Sequence, residues 1–165
     1  MYLKQKDMFW AMDKDFVKSI MDIAESESYK EGDVLFQEGD PADNFFILLK
    51  GRVKLILGQT GQAVYVVSSA GESFGWSSLI GRDTYSAAAI CSVPAKLLKF
   101  ERQKLQKAIA EDPVNGIVFF KRIAGLLGNR LLQSYAMISS GSRADVSTSF
   151  GTGQVIDNTA AELEG

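Results

Sequence analysis

The sequence predicts an α+β fold that is mainly β: a sandwich or jelly roll of short strands flanked by N-terminal helices and a long C-terminal helix. Two observations carry that reading. Residues 29–100 break into short β-branched and aromatic runs, roughly ten residues apart and punctuated by Gly-Asp and Gly-Pro-type turns. On either side, residues 2–26 and 102–138 space their apolar positions at helical intervals.

The first helical region, 2–26, breaks near Met12 and Asp13; Phe16, Ile20 and Ile23 then recur on one face, with Asp13 as cap. From Tyr29 the run "YKEGDVLFQEGDPADNFFILLKGRVKLIL" alternates strand and turn, with Gly32-Asp33, Gly39-Asp40-Pro41 and Gly51 as punctuation. Lys50 with Gly51, and residues 58–61, read as hairpin connections. "GQAVYVVSSAGE" and "ICSVPAKLLKFE" supply further strands. Between them "GESFGWSSLIGRDTYSAAA", residues 71–89, reads as a tight turn opening a short helix, followed by a strand that lies close to its neighbour.

Helix returns at about Arg102. "RQKLQKAIAE" is short, and Asp112 caps a second helix that carries Pro113 in its first turn and runs to about Ile138. That helix has two apolar stripes. Ile117, Phe120, Ala124, Leu127, Leu131 and Ile138 follow near-heptad spacing; Phe119, Ile123 and Leu126 form the other. A single sheet face absorbs one stripe more readily than both. The helix therefore either lies wholly on its own core or packs its second stripe on the same helix of another protomer, with Gly116, Gly125 and Gly128 allowing close approach. Residues 139–165 are polar and rich in Gly, Ser and Thr, and read as a flexible tail that lacks the two patterned helices of a helix-turn-helix.

Composition limits the function classes. A chain of 165 residues, 46% apolar and 23% charged, suits one soluble domain. Net charge is −2 and the isoelectric point is near 5.2, so nothing global attracts nucleic acid or an anionic membrane. Neither a membrane-length apolar run nor a signal-peptide core is visible, and a single cysteine, Cys91, allows no internal disulfide. A cytoplasmic protein is expected, with Cys91 an inert core residue. The chain has no histidine, which removes the usual general base, His-paired nucleophiles and imidazole metal sites. No enzyme motif, cofactor or metal site is expected.

The strand-turn run from Tyr29, with "LLKFERQKLQKAIAEDP" before the long helix, resembles the cyclic-nucleotide-binding domain family, the sensor module of catabolite-activator-type regulators and kinase A regulatory subunits. The resemblance covers residues 8–138 and implies a double-stranded β-helix (jelly-roll) barrel. It places residues 74–87 at the family's phosphate-binding cassette, whose pattern is Phe-Gly-Glu-hydrophobic-small-Leu, then, six residues on, Arg and two small residues. In that family the Glu accepts from a ribose hydroxyl and the Arg pairs with the cyclic phosphate. Phe74 and Gly75 match; Trp76 stands at the Glu position; Ser77, Ser78 and Leu79 follow; Tyr85 stands at the Arg position; Ser86 and Ala87 match the small pair. The frame is kept and both charges are replaced.

A hydrogen bond to a charged group contributes about 1.5–3 kcal/mol, so losing two moves a micromolar site toward the millimolar range. Tyr85, the two serines and the backbone amides near Gly75 remain as neutral donors, and Arg82 reads as a solvated surface residue. Trp76 either fills the vacated sugar site or lines an open pocket as an apolar wall suited to a carboxylate or phenolic ligand. The expected function is a regulatory sensor for a cyclic nucleotide or another small anionic ligand, working as a homodimer through the 113–138 helix and passing its output to a protein partner. The alternative is a degenerate, non-binding domain kept as a dimerisation or interaction scaffold. Neither DNA nor membrane contact is expected.

Overall fold

The computed structural model describes residues 8–58, 63–141, 148–150 and 154–156. Among these, helix α1 (Lys14–Asp22) is followed by strands β1 (Glu25–Tyr29), β2 (Val34–Phe36), β3 (Asn44–Ile56), β4 (Ala63–Val67) and β5 (Ser73–Phe74). A 3-10 turn (Trp76–Ser78), strand β6 (Ala88–Glu101) and helices α2 (Arg102–Glu111) and α3 (Pro113–Gly141) complete the main body of the chain. A short antiparallel pair, β7 (Thr148–Phe150) with β8 (Gln154–Ile156), lies in the segment read as a polar tail. Two compact units are distinguished, one ending at Ile123 and one beginning at Ala124.

The class expected from the sequence is observed: a mostly antiparallel sheet with three helices, the last of them long. The hydrogen-bonded sheet is not closed into a ring. Its order is β1-β6-β3-β4, with β2 also on β6 and β5 also on β3. The two long strands β3 and β6 pair along their whole length, from Asn44 opposite Glu101 to Ile56 opposite Ala88. Each is bent by register shifts, so one pair of strands serves both halves of the jelly roll.

Two local readings are corrected. The helix expected over 2–26 is confined to α1, and residues 1–7 lie outside the described residues. Glu25 and Ser26 already belong to β1: in "ESESY" Glu25 and Glu27 both reach Lys99 on β6, a cross-strand charge arrangement that a helix could not make. Lys50 and Gly51 are not a hairpin; β3 runs straight through them. Gly51 has φ +104°, and a Cβ there would come within 2.6 Å of the Ala95 Cα on β6. It is a bulge where two backbones touch, which only glycine permits. The second expected hairpin, 58–61, lies outside the described residues from 59 to 62; the strands on either side, β3 and β4, pair antiparallel.

The core has two parts. Inside the sheet, Phe36, Phe46, Leu48, Val53, Phe74, Tyr85 and Leu97 form one buried cluster with their neighbours. Against the helices, Phe45 on β3 meets Phe100 on β6 and Phe119 on α3, and Phe119 stacks on Phe9. The run Phe45–Phe46–Ile47–Leu48 is buried throughout because β3 is covered on both faces here.

Asp112 caps α3 as expected, accepting the Asn115 N–H at 3.1 Å. Asp13 heads α1 but makes no side-chain cap bond. Its carboxylate instead accepts from the Asn115 amide at 2.9 Å, while Asn115 Oδ1 accepts the Asp13 N–H at 3.1 Å. Buried Asn115 thus ties the start of α1 to the start of α3. Of the two α3 stripes, Phe119 and Ile123 face the core; Ile117, Phe120, Ala124 and Leu131 are exposed and Leu127 is half-buried. Gly116 is not a point of approach for another protomer: a Cβ there would lie 2.9 Å from the Ile109 carbonyl, so it serves the α2–α3 corner. Gly125 and Gly128 have open space beside them. The helix continues three residues past Ile138 to Gly141; the Ser139 and Ser140 hydroxyls bond carbonyls three residues back, at Ala136 and Met137, which accommodates serine in the last turn.

Candidate functional site

The cassette is built between two elements of the sheet. Phe74 pairs with Phe46 in the β5–β3 ladder and their rings stack at 5.2 Å. The chain then turns at Gly75, φ +76°, where a Cβ would meet the Asn44 carbonyl at 2.9 Å and Phe46 Cδ2 at 3.1 Å. The left-handed turn starts the 3-10 segment, in which the Ser78 N–H bonds the Gly75 carbonyl and the Leu79 N–H bonds that of Trp76. The amides of Trp76 and Ser77 head this turn and are not used by it. After an exposed loop carrying Gly81 and Arg82, residues 83–85 pair with the Gly39-Asp40-Pro41 turn: Gly39 N–H to the Tyr85 carbonyl, Tyr85 N–H to that of Asp40, Ala42 N–H to that of Asp83.

Each expected site residue can now be placed. Phe74, Gly75, Ser77, Ser78 and Leu79 are buried, Trp76, Ser86 and Ala87 are half-buried, and Tyr85 is buried. The sequence spacing thus folds into a turn, a one-turn helix and a returning arm. The expectation that Tyr85 and Ser78 are free neutral donors is corrected. The Ser78 hydroxyl donates to the Gly75 carbonyl at 2.8 Å. The Tyr85 hydroxyl donates to the Asn44 carbonyl at 2.7 Å and accepts the Asn44 N–H at 2.9 Å, while its ring stacks on Phe36 with centroids 3.7 Å apart. Burial, with Asp43 and Asp40 nearby, pushes the Tyr85 phenol up to about 12 even though the Asn44 backbone bond acts the other way. It is a neutral hydroxyl at every physiological pH. Tyr85 is therefore part of the buried core, whereas the Trp76 indole is half-buried.

Two further residues tie the cassette to the helices. Arg102, the first residue of α2, donates its N–H to the Asp43 carbonyl at 2.7 Å and its guanidinium to the Arg82 carbonyl at 3.1 Å, with Asp83 at 3.9 Å. Gln106 reaches the Ser78 carbonyl at 3.4 Å. Neither these residues nor Asn44 and Phe36 carried a signal in the sequence, since each acts through a partner far along the chain. Arg82 itself is exposed, as expected. Burial raises the Cys91 thiol above its ordinary value, with Asp33 adding to the effect, which keeps it protonated and inert. Glu72, two residues before Phe74, accepts the Tyr65 hydroxyl and the Ser68 and Ser69 amides, and so holds the turn before β5.

With this geometry in hand, comparison with known proteins identifies the class. The family described as "Cyclic nucleotide-binding domain" matches residues 26–112, more than half of the chain, and the protein belongs to that family. The human cGMP-dependent protein kinase 2 is 33% identical over 92 residues, 54% of this chain. The aligned part is only 12% of that kinase, so the chain spans a small fraction of the curated relatives it matches. Among solved structures, a cyclic nucleotide-binding domain from Methylobacillus flagellatus KT superposes with a TM-score of 0.73 at 26% identity, covering 84% of this chain and 79% of that one. The catabolite activator protein of Thermus thermophilus shares the fold, with a TM-score of 0.65 at 22% identity over 81% of this chain and 62% of that one. The homologues support a regulatory, ligand-sensing module. No helix among the described residues is long and apolar enough to cross a membrane.

Proposed function

We propose that this domain is a regulatory sensor that has given up the cyclic-phosphate mode and reads a small, largely apolar anion, a carboxylate or phenolic, at the rim of the cassette. The observation that carries this reading is the Tyr85–Asn44 pair. The position where the family keeps its arginine offers neither a cation nor a spare donor, because the hydroxyl is bonded on both sides within the protein. What the rim retains is the half-buried indole of Trp76, the part-exposed Ser86 and Ala87, and the backbone amides heading the 3-10 turn. Those suit a flat, weakly charged ligand better than a cyclic phosphodiester.

In this reading the output is regulatory rather than catalytic. It passes through α2, which Arg102 and Gln106 join to the cassette, to α3, whose stripe of exposed Ile117, Phe120, Ala124 and Leu131 and half-buried Leu127 pairs with a second copy of the chain. The compartment is the cytoplasm, and a partner protein rather than DNA receives the signal.

A second reading has an observation of its own. The 3.7 Å stack of Tyr85 on Phe36 fills the sheet interior with aromatic rings, as a non-binding scaffold would. Thermal-shift and calorimetric titration with cAMP, cGMP and a panel of aromatic carboxylates and phenols separates the two. The sensor reading expects no shift with millimolar cyclic nucleotides and a saturable stabilisation by one aromatic anion that Trp76→Ala removes. Silence across the whole panel favours the scaffold; a micromolar response to cAMP overturns the proposed mode.

A further inference from the structure

Antiparallel sheets with one solvated face alternate apolar residues inward with polar residues outward. One part of this sheet does not. Val34 on β2, Ile90 on β6, Lys54 on β3 and Val66 on β4 are successive cross-strand partners, so their side chains share one face. The adjacent row, Tyr65, Leu55 and Ala89, packs inward, which makes the first row the outer one. Val34 is 50% exposed, Val66 39%, and Val64, two residues along β4, 42%. Exposed apolar side chains gathered on one sheet face in this way mark an interaction surface. β4 is also an edge of the sheet.

The same face is positively charged. Lys54 sits within the valine row, Arg52 and Lys50 precede it on β3, and Lys96 on β6 lies directly opposite Lys50. All four are exposed, and among the described residues none enters an ion pair. Like charges directly opposite across a ladder are destabilising. The cluster also runs against the chain's overall charge of −2. Neither feature helps the isolated domain.

We propose that this face docks an acidic segment of a partner protein carrying apolar side chains between its carboxylates. The valine side chains take the apolar anchors, and Lys50, Arg52, Lys54 and Lys96 take the carboxylates. Lys50, Arg52 and Lys54 are alternate residues of β3 and all exposed, so an extended segment laid along the strand presents its carboxylates to them. A phosphodiester backbone would satisfy the cations and leave the valines uncovered. The surface is formed entirely by the outer face of the sheet and does not depend on what the cassette binds.

The test uses the full chain and a fluorescent peptide alternating glutamate with valine. Anisotropy is read at about 20 mM and about 500 mM salt, between which screening tightens severalfold, and amide shifts of the isotope-labelled wild type map the contact. Saturable binding is expected, weakened about tenfold or more by Lys54→Glu and by high salt, and severalfold by Val66→Ser, with shifts on β3, β4 and β6. Because the mapping uses the wild type, it stands even if a variant folds poorly. Absence of binding, shifts confined to another face, or equal affinity after Lys54→Glu overturns the proposal. So does Lys54-dependent binding to phosphatidylglycerol vesicles with none to the peptide, which would make the occupant a membrane.

Discussion

The Tyr85 hydroxyl closes on both backbone groups of Asn44, at 2.7 Å to the carbonyl and 2.9 Å to the amide. The two residues are 41 positions apart in sequence, and the pair ties the returning arm of the cassette to the first residue of β3. Tyr85→Phe keeps the stack on Phe36 but leaves an amide and a carbonyl without that partner. Stability is expected to fall by about 1–3 kcal/mol, the cost of stranding a part-buried polar group. Urea unfolding of the two proteins measures it, and a loss under about 0.5 kcal/mol would show the pair to be incidental.

The same hydroxyl gives an alkaline signature. Its folded pKa of about 12 lies above the ordinary tyrosine value of 10. The unfolded chain therefore loses this proton first. The contribution of the raised pKa is complete below pH 10 and is lost as pH rises through about 12. Tyr85→Phe lacks the group, so the stability difference between wild type and variant should narrow across that window. Tyr29, whose pKa is also raised, is common to both and cancels in the comparison. Denaturant midpoints at pH 9 and at pH 11.5 give the result; a gap that widens with pH contradicts it.

Glycine substitutions probe the two close approaches. Gly75→Ala places a methyl 2.9 Å from the Asn44 carbonyl in a left-handed turn, and Gly51→Ala places one 2.6 Å from the Ala95 Cα on β6 at φ +104°. The left-handed conformation alone costs about 1–2 kcal/mol, to which each contact adds. Gly32→Ala has a similar φ, +86°, and open space, so it isolates the conformational part. Melting temperatures should order as Gly32→Ala above Gly75→Ala above Gly51→Ala; equal values for all three would remove the close-approach argument.

The exposed stripe of α3 makes an oligomer prediction. Leu127→Lys puts a charge in the middle of Ile117, Phe120, Ala124 and Leu131, and burying it unpaired between two helices is costly. Sedimentation should find the wild type as a dimer and the variant as a monomer at the same concentration. An unchanged mass rejects the helix pairing, while the inward stripe of Phe119 and Ile123 continues to explain the fold of each chain.

The sequence by itself determined the class of fold and, through its resemblance to the family, set Trp76 and Tyr85 where that family's cassette carries its two charges. These depend on local quantities: positive-φ turns at glycine, alternation along strands, helical spacing, and the identity of the residues at positions 76 and 85. It also separated the two stripes of α3, because helical periodicity is written in consecutive residues. The tertiary structure alone decided what Tyr85 does. A phenol at an arginine position reads equally well as a ligand donor or as core, and only the arrival of Phe36 and Asn44, from distant parts of the chain, makes it core. Gly51 was misread for the same reason: a hairpin glycine and a bulge glycine look alike until β6 is laid against it. The valine-and-lysine face was equally invisible, since its row takes one residue from each of four strands. Local sequence sets which conformations each segment prefers, whereas the environment of a side chain is set by neighbours that sequence order does not place beside it.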